Sequence, residues 1–203
     1  MPKPKTDSRD RLIETASRLF QQQGYQGTGL SQIVEESGAP RGSVYFLFPG
    51  GKEELAIEAI KQSTSLVRKQ IEIAASNCHT VEEWIRRLAS HFIQDLEESD
   101  YLRGCPITTV TLESVPDSPA LQKVCRQAYE SWLEDITGFL VQFNFEKDTA
   151  YELSVFLLSA VEGALILCRA KGSTEPLVIA IKFIIEMVKA KQNGILSDFI
   201  NGE

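Results

Sequence analysis

A chain of 203 residues with 43% hydrophobic and 24% charged residues has an ordinary globular composition and can bury a sizeable core. Its formal net charge of −7 argues against a generic nucleic-acid coat protein. The charge is uneven, because residues 1–52 hold seven Lys/Arg against five Asp/Glu while the remainder is strongly acidic. A locally basic N-terminal segment can still approach DNA, since a small basic patch sets the local field.

The N-terminus is charged from Lys3 and Lys5 onward, which leaves no room for the apolar core of a signal peptide. The longest apolar run, 155–168, includes Glu162 and is short for a membrane span. The four cysteines lie far apart without C-x-x-C spacing, which favours reduced thiols over a zinc site. We therefore expect a cytoplasmic protein with no metal, cofactor or membrane contact.

The first two predicted helices are marked by their end signals. Asp7 and Ser8 are good N-cap residues for a first helix, and Gly24 ends it. Thr28 precedes a short second helix that ends at Gly38. Both helices carry apolar residues at helical spacing, which predicts one buried face on each.

A third helix and a fourth follow at once. Pro40 fits the first turn of the third helix, because its missing N–H costs nothing there. The Pro-Gly-Gly sequence stops that helix by 46–48. Lys52 opens the fourth helix, whose acidic Glu-Glu pair suits the positive end of the helix dipole, and which continues past Leu66.

The rest of the chain also shows helical periodicity and no sustained strand alternation. The further predicted segments are 81–96, a short stretch to 113, 118–143, 149–170 and 175–192. The predicted fold class is therefore all-α, with about nine helices. We assign 1–52 to a helix-turn-helix DNA-binding domain, with helix four (about 52–70) as connector, and 53–203 to a ligand-binding and dimerisation domain.

The glycine turn between helices two and three indicates a helix-turn-helix, whose second helix enters the DNA major groove. Val44 and Phe48, four residues apart, are predicted to pack helix three onto helix one. Arginine and serine can donate to base edges or phosphates, glycine permits close approach, and a tyrosine hydroxyl reaches a phosphate. The residues predicted to face outward for these contacts are Arg41, Gly42, Ser43 and Tyr45. Lys52, beside the free N–H groups of helix four, is predicted to clamp another phosphate.

The run from Gly24 to Leu55, GYQGTGLSQIVEESGAPRGSVYFLFPGGKEEL, resembles the N-terminal domain of the TetR family of bacterial transcriptional repressors. The glycine turn, the R-G-S-V-Y-x-x-F helix and the K-E-E-L restart occur in the family's order and spacing. The resemblance implies a homodimer on double-stranded operator DNA, with a divergent C-terminal helical domain that binds a small ligand and releases DNA. The positions that correspond to DNA contacts are Thr28, Arg41, Gly42, Ser43, Tyr45 and Lys52.

One residue departs from the family pattern, and one further segment is similar to a particular branch of the family. Leu47 stands where the family often has histidine, which removes one phosphate donor. The G-C-P-I segment at 104–107 is similar to the drug-responsive branch that includes LmrA and YxaF.

The C-terminal region offers candidate residues for a ligand site, although each of them can also have a purely structural role. These candidates are Trp84, Arg103, Cys105, Trp132, Phe139, Phe143 and Glu162. Aromatic residues on helices are more often core than pocket, and a cysteine such as Cys105 is more often buried and inert than reactive. Glu162 is costly to bury unpaired, so it faces a pocket or water, or pairs across a dimer. His79 and His91 have no metal or catalytic partner nearby and are expected on the surface.

The last two predicted helices are apolar on too many sides for a monomer, which predicts a dimer interface of two helices from each subunit. The function that fits these features is a ligand-responsive repressor that is released from a palindromic operator by a small hydrophobic or aromatic effector. A helical interaction adaptor and a small enzyme are the alternatives, although no catalytic motif is present. The sequence leaves repressor versus activator open.

Overall fold

The protein is described by a computed structural model, over residues 5–114 and 117–194, with side chains from Ser8 onward. Across these residues the chain forms nine helices and no strand, which confirms the predicted all-α class. The helices are α1 (Lys5–Gln23), α2 (Leu30–Ser37), α3 (Ser43–Leu47), α4 (Gly51–Ala75), α5 (Val81–Glu98), α6 (Pro106–Ser114), α7 (Pro119–Gln142), α8 (Lys147–Lys171) and α9 (Glu175–Gln192).

Residue contacts divide the chain into two compact units, with divisions inside α4, between α5 and α6, and inside α7. The head unit comprises the described residues up to Val67 and those of Leu102–Ser131. The body unit comprises Arg68–Tyr101 and the described residues from Trp132 onward. Helix α6 and the first half of α7 are thus grouped with the helix-turn-helix. The functional domain boundary at residue 52 remains a prediction.

The core of the head unit forms around α1. Leu12, Ala16, Leu19 and Phe20 recur at helical spacing and are almost completely buried. Helix α1 uses this face against α2, α3 and α6. Each fully buried large apolar side chain stabilises the fold by about 1.5–3 kcal/mol, so this face of α1 stabilises its packing on α2, α3 and α6.

Two predicted helix starts are wrong. Helix α1 begins at Lys5, so Asp7 and Ser8 lie in its first turn rather than at its N-cap. Polar and acidic residues are favoured at both places, and the sequence signal does not separate them. Helix α3 begins at Ser43, because the Ser43 N–H donates to the Pro40 carbonyl at 2.8 Å and closes a turn before the helix starts.

The body unit packs α8 along α9 and α9 along α5. Helix α5 starts at a Thr80 cap, whose hydroxyl oxygen accepts from the Glu83 N–H at 3.1 Å. Glu82 in the same first turn forms an ion pair with Lys189 of α9. Trp84 is completely buried, and its indole N–H donates to the Ile71 carbonyl at 3.3 Å.

Helix α8 is, within the described part of the chain, the helix that is long and apolar enough to cross a membrane by length and composition. A core helix of a globular protein passes the same test. Leu153, Leu157 and Leu165 of α8 are buried, while its opposite side carries exposed apolar residues. This division fits a helix that packs against protein on one face and has a second apolar face available.

Candidate DNA-binding interface

The turn between α2 and α3 has a fixed geometry. Gly38 has φ 61°, in the left-handed region, and its N–H donates to the Glu35 carbonyl at 3.2 Å. The Arg11 guanidinium, from α1, donates to the Ser37 carbonyl at 2.7 Å. The Ser37 hydroxyl oxygen accepts from the Ala39 N–H at 3.2 Å. The turn therefore holds α3 at one angle to α2, as a helix-turn-helix requires.

Helix α3 has one buried and one exposed side. Val44 and Phe48 are buried to 1% and 0% exposure, and α3 contacts α1, which confirms their predicted packing. The Arg9 guanidinium lies 5.4 Å from the centre of the Phe48 ring. Tyr45 and Phe46 are 67% and 70% exposed. The outward side of α3 thus offers two aromatic rings on a well-packed base.

A groove of about 530 Å³ lies beside this outward side. It is lined by Leu30, Ser31, Val34, Glu35, Gly38, Ala39, Arg41, Val44 and Tyr45. The lining joins both helices of the motif and places Arg41 and Tyr45 on one concave surface.

Arg41 differs from the other arginines of the helix-turn-helix. Arg9 pairs with Glu58 at 2.5 Å, Arg18 pairs with Glu36 at 2.5 Å, and Arg11 is held by the α2–α3 turn. Arg41 is exposed and has no ion-pair partner among the side chains of residues 8–114 and 117–194. Its five donors can therefore reach an external acceptor without breaking an internal contact.

The small predicted contact residues are placed differently. Gly42 is exposed, and an added Cβ there would meet nothing within 4 Å, so this position permits close approach. The Ser43 hydroxyl donates to the Pro40 carbonyl at 2.7 Å, which leaves its lone pairs but not its proton for an outside group. Thr28 is 1% exposed, and its hydroxyl donates to the Gly24 carbonyl at 2.7 Å. A DNA contact by the Thr28 side chain stays a prediction that needs this bond to open.

Lys52, at the start of α4, is half-buried and lies over an aromatic ring. Its ammonium nitrogen is 4.3 Å from the centre of the Tyr25 ring. Burial lowers the pKa of Lys52, while the negative charge of Glu113 on α6 acts in the opposite direction. Burial also raises the pKa of Tyr25, and the charge of Glu53 adds to this rise. The predicted phosphate clamp thus lies over Tyr25 and beside the charge of Glu113, and of these two residues Glu113 is outside the Gly24–Leu55 run.

Sequence reasoning missed Phe46, Tyr25 and Glu113 as parts of this region. Phe46 was detectable, since it follows Tyr45 on an exposed helix. Glu113 was not, because it lies 87 residues from its hydrogen-bond partner Gln26 and no local pattern connects them.

The predicted ligand residues fall into both units. In the body unit, the Trp84 and Phe139 ring centres are 4.4 Å apart, and those of Phe139 and Phe143 are 4.9 Å apart. Trp132 is 2% exposed. The rings of Trp84, Phe139 and Phe143 form a packed aromatic cluster, as expected of core residues, and the ligand role of all four aromatic residues remains a prediction.

The other ligand candidates are less enclosed. Glu162 of α8 is half-buried, so it is not an isolated core charge. Arg103 and Cys105 are half-buried members of the head unit. Cys105 is a free thiol, as are the other three cysteines. His79 and His91 are exposed, which confirms the expectation for both.

Two protein families match separate parts of the chain. Bacterial regulatory proteins of the tetR family match residues 12–59, which contain the geometry described above. The LmrA/YxaF-like transcriptional regulator C-terminal domain matches residues 81–182. The predicted resemblance to both is confirmed.

Individual relatives and solved structures agree with these matches. The HTH-type transcriptional regulator YxaF of Bacillus subtilis, described as uncharacterised, is 35% identical over 91% of this chain and 97% of its own length. The HTH-type transcriptional regulator LmrA of Bacillus subtilis is 34% identical over 90% of this chain and 97% of its own. The crystal structure of a TetR transcriptional regulator from Legionella pneumophila has the same fold, with a TM-score of 0.79 at 21% identity over 87% of this chain and 95% of that one. The chain is a member of the TetR family, an HTH-type transcriptional regulator rather than an enzyme, with a C-terminal domain of the LmrA/YxaF-like kind.

Proposed function

We propose that this regulator is a cytoplasmic, dimeric repressor that binds a palindromic operator and is released by a small hydrophobic or aromatic effector. The observation that carries the DNA-binding part is the exposed surface at α3, where Tyr45 projects from a well-packed helix and Arg41 projects from the turn just before it. Side chains placed in this way on and beside a recognition helix can combine base-edge and phosphate contacts.

The dimer is supported by an apolar face on α8 and α9. Residues more than one-third exposed on these helices include Tyr151, Val155, Phe156, Ile166, Leu167, Val178, Ile179 and Phe183. Many exposed apolar side chains on two packed helices are unfavourable in water and are typical of an interaction site. Gly163, exposed in the middle of α8, allows a partner helix to approach closely. A second copy of the chain covers the face, and its two-fold symmetry requires a palindromic operator.

The effector is proposed to bind the body unit near the cluster of Trp84, Phe139 and Phe143. Pockets for small molecules are mostly apolar and aromatic, with a few polar groups. Release requires the effector to bind the DNA-free conformation more tightly, because only differential affinity shifts an equilibrium. A tenfold loss of operator affinity needs a coupling of about 1.4 kcal/mol, which is ordinary for allosteric proteins.

The proposal is tested in two stages. The wild-type protein is first used to select duplexes from a random library, and the selected sequences are expected to be palindromic, with one dimer bound per site by sedimentation. Selection of no sequence, or of a site without two-fold symmetry bound by a monomer, contradicts the DNA-binding part.

A panel of hydrophobic and aromatic compounds is then titrated into the complex while operator release and tryptophan fluorescence are followed. Compounds that quench fluorescence and leave operator affinity unchanged contradict the release mechanism alone.

A further inference from the structure

Helix α6 lies outside the helix-turn-helix but is bonded to it at two points. The Thr109 hydroxyl donates to the Phe20 carbonyl near the end of α1 at 3.2 Å, and it shares this one proton with the Pro106 carbonyl of its own helix at 3.1 Å. The Gln26 N–H donates to a Glu113 carboxylate oxygen at 2.7 Å. Both bonds join α6 to the end of α1 or to the segment Gly24–Gly29, here named the α1–α2 turn.

The Glu113 carboxylate occupies the space that a side chain at position 24 would fill. A Cβ added to Gly24 would lie 2.1 Å from one carboxylate oxygen, and Gly24 has φ +82°. The glycine therefore serves two purposes, because it adopts the left-handed conformation and leaves room for the carboxylate. The Glu113 carboxylate thus packs against the Gly24 Cα, although the two residues are 89 positions apart in the sequence.

The α1–α2 turn determines where α2 begins. The Thr28 hydroxyl donates to the Gly24 carbonyl at 2.7 Å, and the Thr28 N–H donates to the Tyr25 carbonyl at 3.2 Å. Helix α2 starts two residues after Thr28 and carries α3 through the rigid Gly38 turn. A shift of the α1–α2 turn is thus passed on to the helix that faces DNA.

Glu113 also supplies charge beside Lys52. The Lys52 ammonium lies over the Tyr25 ring of the same turn, and the Glu113 charge favours its protonated form against burial. One carboxylate therefore holds the backbone of the turn and balances the cation above it.

We propose that Glu113 of α6 is a positioning residue for DNA binding, which anchors the α1–α2 turn through the Gln26 N–H and so sets the placement of α2 and α3. The DNA part of this inference rests on the proposed function, and the anchor itself does not. The residue does not touch DNA; it acts through the turn.

Two substitutions separate the hydrogen bond from the charge. Glu113→Gln loses the charge but keeps an oxygen that can accept from the Gln26 N–H, whereas Glu113→Ala loses both. Glu130→Ala is the matched control, because Glu130 is also a carboxylate of the head unit. It is exposed on α7, and its ion pair is with Arg126 of the same helix, one turn earlier, at 3.7 Å.

The first measurement is hydrogen exchange of the Gln26 amide by NMR on the full-length, ¹⁵N-labelled protein. Exchange is expected to rise about tenfold in Glu113→Ala, to stay within about threefold of wild type in Glu113→Gln, and to be unchanged in Glu130→Ala. Equal exchange in wild type and Glu113→Ala, with helical content preserved, overturns the anchor whether or not the protein binds DNA.

The second measurement is affinity for a duplex that the wild-type protein has selected from a random library. Glu113→Ala is expected to bind this duplex about three- to tenfold more weakly than Glu113→Gln, although the two variants have the same charge. Equal affinities of the two variants overturn the positioning role. If the wild-type protein selects no duplex, the proposed function fails instead, and the exchange measurement still decides the anchor.

Discussion

Arg41 and Lys52 carry the same charge, but their surroundings predict different contributions to DNA binding. Arg41 projects from the loop before α3 with no internal ion pair in the described part of the chain, so its planar fork can meet a base or a phosphate. Lys52 is half-buried over Tyr25, which limits the directions in which its ammonium can point. A base-reading role suits Arg41, and a fixed phosphate contact suits Lys52.

Substitution of Arg41 tests base reading. Arg41→Ala is expected to weaken binding to the selected operator by about 1–3 kcal/mol and to relax the preference at one position in each half-site. Arg41→Lys serves as control, because it keeps the charge but loses the bidentate geometry, and it should relax the same preference with a smaller loss of affinity. Competition binding with single-base operator variants measures both. Loss of affinity with an unchanged base preference would assign Arg41 to phosphate contact instead.

Substitution of Lys52 tests the phosphate role. Lys52→Ala is expected to weaken binding to all sequences alike and to lower the slope of log affinity against log salt by about one unit per subunit. Lys61→Ala, an exposed lysine further along α4, is the control and should leave the slope as in wild type. Titrations at four or more salt concentrations provide the slopes. A slope that is unchanged in Lys52→Ala contradicts the contact.

At the scale of elements, the α2–α3 turn depends on a single backbone conformation. Gly38 has φ 61°, and an added Cβ would come within 3.2 Å of the Arg11 guanidinium. Gly138, by contrast, is an exposed residue inside α7, and an added Cβ there meets nothing within 4 Å. The two glycines therefore differ in what an alanine would do.

This difference predicts opposite effects on stability. Gly38→Ala should lower the free energy of unfolding by about 1–2 kcal/mol, because a residue with a Cβ is strained in the left-handed region. Gly138→Ala should raise it by about 0.5–1 kcal/mol, since glycine is a poor residue for a helix interior. Chemical denaturation of both variants, at one protein concentration, gives the comparison. Equal effects of the two substitutions would contradict the assigned backbone conformations.

The helices themselves were largely predictable, since apolar periodicity and end signals are local. Helix α2 ends at Gly38 because glycine readily adopts the left-handed conformation, and α5 starts after Thr80 because a threonine hydroxyl can cap a helix. The start of α3 was not predictable, because the Ser43 N–H closes a turn on Pro40 instead of continuing a helix. Val44 and Phe48, which follow this turn, are buried, and α3 contacts α1; a pattern of neighbouring residues does not contain these contacts.

At the scale of the whole molecule, the exposed apolar face of α8 and α9 is the proposed dimer interface. Phe183 is 59% exposed in the single chain, and Leu167 is 55% exposed. Leu112, on α6 in the head unit, is exposed to 72% and does not belong to this face. A substitution of Leu112 can therefore serve as the control for a substitution of Phe183 in a dimerisation experiment.

Charge on the face should separate the subunits. Phe183→Lys is expected to weaken dimerisation at least about tenfold, because it removes a side chain whose burial is worth about 1.5–3 kcal/mol and adds a charge that must be desolvated. Leu112→Lys should leave the dimer intact. Sedimentation equilibrium at micromolar concentration, with circular dichroism to confirm helical content, makes the measurement. A Phe183→Lys protein that remains as dimeric as wild type would place the interface elsewhere.

The sequence by itself determined the helical class, the helix-turn-helix and the family, because these depend on periodicity, glycine turns and motif spacing along neighbouring residues. Tertiary structure alone decided which arginines are already paired, that Thr28 is buried, and that Lys52 lies over Tyr25. It alone placed Glu113 against Gly24 and Gln26. The physical reason is that pairing and burial depend on distances in space between residues far apart in the chain, which a local pattern does not contain.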